Sequence, residues 1–264
     1  MINMAKNGGI QFEKDFVNAL HEHSYGELNQ NLKFLIKTLY KQIDLEEKIH
    51  AELVMGYVKP DVRIFYMGQE KYISLKSGAS DVIHQEKVEQ MVEFFRSNGI
   101  SEKTIETILL FQFGDNTTDG SGEIRLDYTA ISFQLHDRII EANIELNKSK
   151  QFINACLKRF LFQGTREEYP LADIIYHGNL EYGVFMNYQQ TINHMKYRTY
   201  DFIKNIHIGP MHIKAHARYH HGVVLDEESR HKTDIRWVNL NTDIDYISRK
   251  FSFDIGNTNL LSKK

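Results

Sequence analysis

The sequence predicts an α/β or α+β fold: helices, a β-hairpin, more helices, then strands. Three observations predict it. Apolar residues recur at helical spacing before residue 50 and again after residue 80. Between those stretches the period falls to two. A second alternation, of basic and apolar residues, occupies Met211 to Tyr219.

The elements follow in order. Phe12, Phe16, Val17 and Leu20 form an apolar stripe that predicts a helix over residues 10–21. Leu28, Leu32, Leu35, Ile36 and Leu39 continue the helical reading over 28–50. Asp61 to Tyr66 and Lys71 to Lys76 then alternate around Met67-Gly68-Gln69-Glu70, which predicts a hairpin. With Gly68 and Gln69 as the loop, Met67 pairs with Glu70 and Asp61 stands opposite Lys76. Val88, Met91, Val92 and Phe95 predict a helix over 81–97, and another follows at 101–112. The Gly- and Asp-rich run 114–122 is a loop. Residues 132–162 read as mostly helical, Ala172 to Tyr176 and Tyr182 to Met186 as paired strands, 188–204 as helix, and 206–219 and 234–240 as β. No boundary forces two domains. A single domain over 1–264 is expected, with a core over about 1–130 and a helical and β-rich part over about 131–264.

Composition narrows the function classes. With 264 residues and 42% hydrophobic content the chain can bury one large core, or a core and a closely packed lobe. Charged residues make up 25% with both signs mixed, which excludes a disordered chain. One cysteine, Cys156, excludes an intrachain disulfide, and its setting on a helix face predicts a buried structural thiol. The opening residues lack the apolar stretch of a signal peptide, and no run approaches the roughly 18 apolar residues of a membrane span. A cytoplasmic location away from membranes is the expectation. The net charge of -3 argues against a non-specific nucleic-acid binder, so charge distribution matters more than the total.

The hairpin carries the first chemical constellation. Hydrolysis of a phosphodiester needs carboxylate oxygens for a hard cation and a basic group near the attacking water or the phosphate. Asp61 and Lys76 meet that need at one sheet edge, and Ser74 shares the face of Lys76 because strand side chains alternate. Glu13 shares the helix face of Phe16, Val17 and Leu20. A carboxylate there is costly without a partner, so it reads as a metal ligand or as an acid close behind one. The blander reading puts it in the first helical turn, where the dipole favours acids. Gln85 reads either as projecting inward near the metal or as a solvent-facing residue at a helix start. For His84 and Glu86 the solvent-facing reading is preferred.

Pro60-Asp61, then Ser74-Leu75-Lys76, with Glu13 on a preceding helix, resembles the PD-(D/E)xK pattern of restriction endonucleases and related nucleases. The stretch Ile73 to Gln90 resembles a branch of small type II restriction enzymes in which a polar residue replaces the middle acid. The likeness covers residues 10–98. It implies a restriction-endonuclease-like core, a mixed central sheet flanked by helices, with a C-terminal β-rich recognition region. It also implies Mg²⁺ as cofactor, with Mn²⁺ as substitute. Asp61, Glu13 and the Leu75 carbonyl would hold the ion, and Asp61, Lys76, Glu13, Ser74 and Gln85 would form the catalytic set. Ser74 stands where the pattern has Asp or Glu. A hydroxyl is a weak metal ligand, so the second acid must come from elsewhere, and Glu13 is the expected source.

A basic stripe supplies the second constellation. His212, Lys214, His216 and Arg218 alternate with Met211, Ile213, Ala215 and Ala217, which on a strand gives one basic and one apolar face. Lys196 and Arg198 lie in the same acid-poor region. Such a face suits phosphate contacts and base-edge readout in double-stranded DNA, and equally suits a solvated outer strand. Zinc binding by His212, His216, His220 and His221 is disfavoured, because no cysteine partner stands at short spacing.

The expected function is that of a type II restriction endonuclease. A structure-specific repair or recombination nuclease is the second reading, and a non-catalytic nucleic-acid-binding protein with a degenerate site is the third. Cutting both strands calls for a homodimer or for sequential nicking, and the sequence leaves both open.

Overall fold

The computed structural model describes residues 4–56, 59–77, 81–123, 125–195, 205–216 and 227–249. The chain is mixed α and β. It opens with α1 (Met4–Asn18), α2 (Gln30–Leu39), β1 (His50–Leu53), β2 (Val62–Tyr66), β3 (Gln69–Lys76) and β4 (Val82–Lys87). A helical stretch follows: α3 (Val88–Ser97), α4 (Glu102–Phe113), α5 (Tyr128–Gln134), α6 (His136–Lys148) and α7 (Lys150–Leu157). Then come β5 (Ile174–Gly178), β6 (Gly183–Asn187), α8 (Tyr188–Met195), β7 (His207–Ile208), β8 (Met211–Ala215), α9 (Glu227–Arg230), β9 (Lys232–Arg236) and α10 (240–249). Two compact units result. One comprises Met1–Ser80, Leu161–His194 and Leu240–Lys264, and the other Asp81–Phe160 and Met195–Asn239.

The first unit holds a five-stranded sheet in the order β1-β2-β3-β5-β6. Every pairing is antiparallel except β3 with β5, so the sheet is mixed. Its apolar face carries Val62, Ile64, Tyr66, Ile73, Leu75, Ile174, Tyr176 and Phe185. Against that face lie Phe16 and Leu20 from the α1 segment and Leu32, Leu35 and Ile36 from α2. Period two on the strands and period 3.6 on the helices bring these residues together. Each fully buried Leu, Ile or Phe contributes about 1.5–3 kcal/mol, and Ile64→Ala would cost about 2–5 kcal/mol. The Asn29 side chain caps α2 by accepting the Leu32 N–H. The helical reading of 28–50 is cut short: α2 ends at Leu39, and His50–Leu53 pairs with β2 as an edge strand. Helical propensity yields there to an antiparallel ladder with β2, the strand that follows it in sequence.

The hairpin register differs from the expected one. Tyr66 pairs with Gln69 and Val62 with Ile73, so the loop is Met67-Gly68. Both loop residues have positive φ, 52° and 69°, the geometry of a type I′ turn that matches strand twist. Methionine rarely adopts it; here the Met67 N–H donates to Glu47 Oε1 at 3.0 Å. That tertiary bond lies outside the hairpin's own pattern. The shift is two residues, so every side chain keeps its face. Asp61, however, now falls opposite Ser74 and not Lys76.

The second unit holds an antiparallel sheet in the order β4-β9-β8-β7. The helix expected over 81–97 begins only at Val88; Val82–Lys87 is a strand paired with β9. Val88, Met91, Val92 and Phe95 form the buried face of α3 as expected. Cys156 is buried, and burial raises its thiol well above the ordinary range. The 114–122 loop is organised by Asp115, whose carboxylate accepts from the Thr117 and Gly122 N–H groups and from Arg125. No helix among the described residues is long and apolar enough to cross a membrane.

Candidate active site

Asp61 leaves the β2–β3 ladder just before β2 begins. Its N–H donates to Ile73 O at 2.8 Å, and its carbonyl accepts the Val54 N–H at 3.0 Å. Its carboxylate then continues the ladder in place of backbone. Oδ2 accepts the Leu75 N–H at 2.5 Å and the Ser74 hydroxyl at 3.1 Å. Two donors on one oxygen fix the carboxylate and leave Oδ1 without a hydrogen bond among the described residues. Ser74 is fully buried, so its hydroxyl serves as an orienting donor to Asp61. A carboxylate at that position would repel Asp61 unless a cation stood between them.

Lys76 ends β3 on the same face as Ser74. Its Nζ donates to the Leu75 carbonyl at 3.1 Å. Glu13 completes the group from α1. Helix α1 begins at Met4, six residues before the expected start, so Glu13 lies beyond the first turns and the helix dipole does not account for it. Burial, and next the Asp61 carboxylate, hold the Glu13 carboxyl above its ordinary range; the Lys76 ammonium opposes that shift. Glu13 thus feels the charges of both Asp61 and Lys76, although 48 and 63 residues of sequence separate it from the other two.

The donor set suits a hard divalent cation: two carboxylates, one with an available oxygen, and the Leu75 carbonyl. A cation there would offset both the burial and the Asp61 repulsion that raise Glu13. The Lys76 ammonium already touches the Leu75 carbonyl, so an ion taking that oxygen would release the ammonium. Another cluster, His21, Glu22 and His50, is exposed and has ligand atoms within 4.8 Å of one another. It fits a metal poorly. The Ala51 N–H donates to His21 Nδ1 at 3.2 Å, so in the neutral ring Nε2 carries the proton and has no lone pair to give. His50 Nδ1 lies 2.9 Å from Glu22 Oε1, which closes the cluster on itself.

The remaining expected site residues divide. Gln85 sits on strand β4, not at a helix start, and belongs to the second unit. Its amide lies 2.8 Å from His216 Nδ1 and donates to Asp234 Oδ1 at 3.0 Å, so it serves that sheet. Glu86 does not face solvent: it is buried and paired with Arg159, Nη2 to Oε2 at 2.6 Å, and His84 Nε2 lies 3.7 Å from the same oxygen. The alternation on β8 holds for Met211, Ile213 and Ala215, which are buried, and for Lys214, which is exposed. His212 departs from it, being buried beside the Asn205 amide, and burial lowers its pKa to about 4. It is therefore a neutral core histidine and not part of a basic face. His216 Nδ1 lies 3.0 Å from the buried Asp234. Lys214 Nζ lies 5.6 Å over the Tyr128 ring. Lys196, Arg198, Arg218, His220 and His221 lie outside the described residues.

One residue near the constellation escaped the sequence reading. His177 is the parallel register partner of Lys76 on β5, half-buried and on the Lys76 face of the sheet. The strand was legible at Ala172 to Tyr176, but its pairing to β3 was not. Gly183 shows how tightly that strand pair is built, because a Cβ there would meet the Tyr176 hydroxyl at 1.8 Å. No protein-family model, curated protein or solved structure matches this chain.

Proposed function

We propose that the protein is a Mg²⁺-dependent endodeoxyribonuclease of the PD-(D/E)xK type, a type II restriction endonuclease that hydrolyses double-stranded DNA at a short specific site. One arrangement carries the reading: the Leu75 N–H and the Ser74 hydroxyl aim the Asp61 carboxylate, Lys76 Nζ rests on the Leu75 carbonyl beside it, and Glu13 of α1 lies close enough to feel both charges. Two acids brought together in a half-buried place cost stability, and a divalent cation held between them would offset that cost beyond what Lys76 supplies.

In this reading Asp61 and Glu13 hold the ion with the Leu75 carbonyl. The ion, when bound, lowers the pKa of water and withdraws charge from the phosphate. Ser74 and the Leu75 N–H aim the Asp61 carboxylate. Lys76 stabilises charge developing on the phosphate or the attacking water. The mixed sheet, with α1 and α2 on one face, is consistent with a restriction-endonuclease-like core.

The test is digestion of supercoiled plasmid and phage DNA with Mg²⁺ or Mn²⁺, with and without a chelator. Discrete fragments that vanish on chelation are expected. No cleavage of any duplex by the wild-type protein would overturn the proposal, and cleavage confined to branched DNA would move it to a structure-specific nuclease.

A further inference from the structure

The turn between β5 and β6 is pinned from several sides, and it holds an aromatic ring out in solvent. Leu180 O accepts from the side-chain amides of Asn29 and Asn31, at the start of α2, at 3.0 and 3.2 Å. Asn179 Oδ1 accepts the Glu181 and Tyr182 N–H groups at 2.9 and 2.8 Å. The Asn179 carbonyl accepts the Tyr176 hydroxyl at 2.5 Å. Gly178 has φ 129°, and a Cβ there would meet Tyr182 O at 2.3 Å, so only glycine lets the strands close this tightly. Leu180 packs on the core, whereas Glu181 is exposed and Tyr182 is 83% exposed. A single exposed aromatic needs no explanation by itself. One held on a fixed backbone loses little entropy when it binds, and its place supplies the partner. Strand β5 runs parallel to β3 with His177 opposite Lys76, so the turn leaves the sheet at the end where Asp61, Ser74 and Lys76 stand. At about 3.3 Å per residue and about 4.8 Å per strand, the tip lies roughly 10 Å from Lys76. That is about three base steps along a duplex.

We infer that the β5–β6 turn is a base-reading finger for the DNA cut at the neighbouring site, with Glu181 and Tyr182 as its specificity residues. The inference rests on the nuclease reading and names where that enzyme reads sequence. The chemistry of the tip selects base edges over phosphates. Residues 178–183 are Gly-Asn-Leu-Glu-Tyr-Gly, without a lysine or arginine. Phosphate contacts draw largely on those two cations, and an exposed carboxylate repels a phosphate. In the major groove a carboxylate accepts from the cytosine N4 amine, and an apolar ring face meets the thymine methyl. Glu181 is therefore assigned to a cytosine and Tyr182 to a neighbouring thymine. A tip about three base steps from the scissile phosphate falls within a short recognition site.

The test is cleavage of a randomised duplex library by the full chain with Mg²⁺, with the recognition sequence read from the sequenced ends. Glu181→Gln should lower discrimination at one C·G pair by about tenfold or more and leave the other positions as they were. Tyr182→Ala should lower kcat/KM on the wild-type site by about tenfold, with kcat at saturating DNA nearly unchanged. Tyr182→Phe, which keeps the ring, should cut as the wild type does. The turn is held through the backbone N–H groups of Glu181 and Tyr182, so these variants should fold, with folding checked by circular dichroism. A wild-type enzyme that cuts a defined site, with Glu181→Gln and Tyr182→Ala cutting the same site equally well, would overturn the inference and leave the nuclease reading standing. A wild-type chain that cuts no duplex would overturn the nuclease reading, and the inference with it.

Discussion

The β2–β3 hairpin and strand β8 carry the same sort of pattern, polar side chains alternating with apolar ones, and they end in opposite electrostatic settings. At the Asp61 end of the hairpin two acids meet: Asp61 lies near Glu13, and the Lys76 ammonium opposes the effect of burial and of Asp61 on Glu13. On β8, the polar positions are compensated. Lys214 pairs in register with Asp234 of β9, and Asp234 also takes His216, Gln85 and Arg236. His212 is buried and neutral. A fold tolerates an uncompensated acid pair at a cost, whereas a compensated row costs little. Under the proposed function the hairpin is the candidate site, and Lys214 is the exposed cation of β8.

The largest effect should come from Asp61. Asp61→Asn keeps an acceptor for the Leu75 N–H but removes the charge, so cleavage should fall about a thousandfold or more, while the metal-free melting temperature should rise slightly as the repulsion with Glu13 is removed. Asp61→Ala should in addition lose about 1–3 kcal/mol of stability, because Leu75 N–H loses its acceptor. If Asp61→Asn cleaved at the wild-type rate, the hairpin would join β8 as structural. Lys76→Ala should slow cleavage about a hundredfold, read as kcat at saturating DNA. A fall of less than about threefold would remove Lys76 from the chemistry.

Glu13→Gln should act in two opposite ways. Burial and the Asp61 carboxylate raise the Glu13 carboxyl above its ordinary range in the folded protein, so the metal-free fold loses stability as pH rises from the ordinary glutamate range through that raised value. Glu13→Gln should therefore raise the melting temperature at pH 8 without metal, have little effect at pH 4, and weaken Mg²⁺ binding about tenfold. Melting curves with and without Mg²⁺ check both signs. A lower melting temperature without metal would mean that Glu13 stabilises the fold.

Acid sensitivity separates the two regions further. Burial holds the folded pKa of His212 at about 4, below the ordinary imidazole value of about 6.5. The stability gained by keeping the ring neutral is present above pH 6.5 and is lost as pH falls from there toward 4. His212→Gln should flatten the melting temperature over that window. The smallest effect should be that of Lys214→Ala on DNA binding: a salt slope reduced by about one for all sequences alike, measured in titrations at several ionic strengths. No change would place the DNA contacts outside β8.

The sequence by itself determined which residues share a face, because helical and strand periods are local properties of the backbone. The apolar stripes of α1, α2 and α3, the hairpin, the strand pair at 174–187 and the buried Cys156 were all legible in that way. Only the tertiary structure decided the partners. The Glu47 bond to Met67 goes with a turn that moves Asp61 from opposite Lys76 to opposite Ser74. Strand β9, about 150 residues after β4, takes Gln85 out of a helix and into a ladder, and places Asp234 among the bases of β8. Parallel pairing with β5 puts His177 beside Lys76. Glu13 could be suspected from its place on an apolar stripe, but its meeting with Asp61 and Lys76 required α1 to dock on the sheet. Local pattern sets orientation. Register, burial and the sign of the neighbouring charge are set by residues far along the chain, and those decide whether a polar side chain becomes a site or a strut.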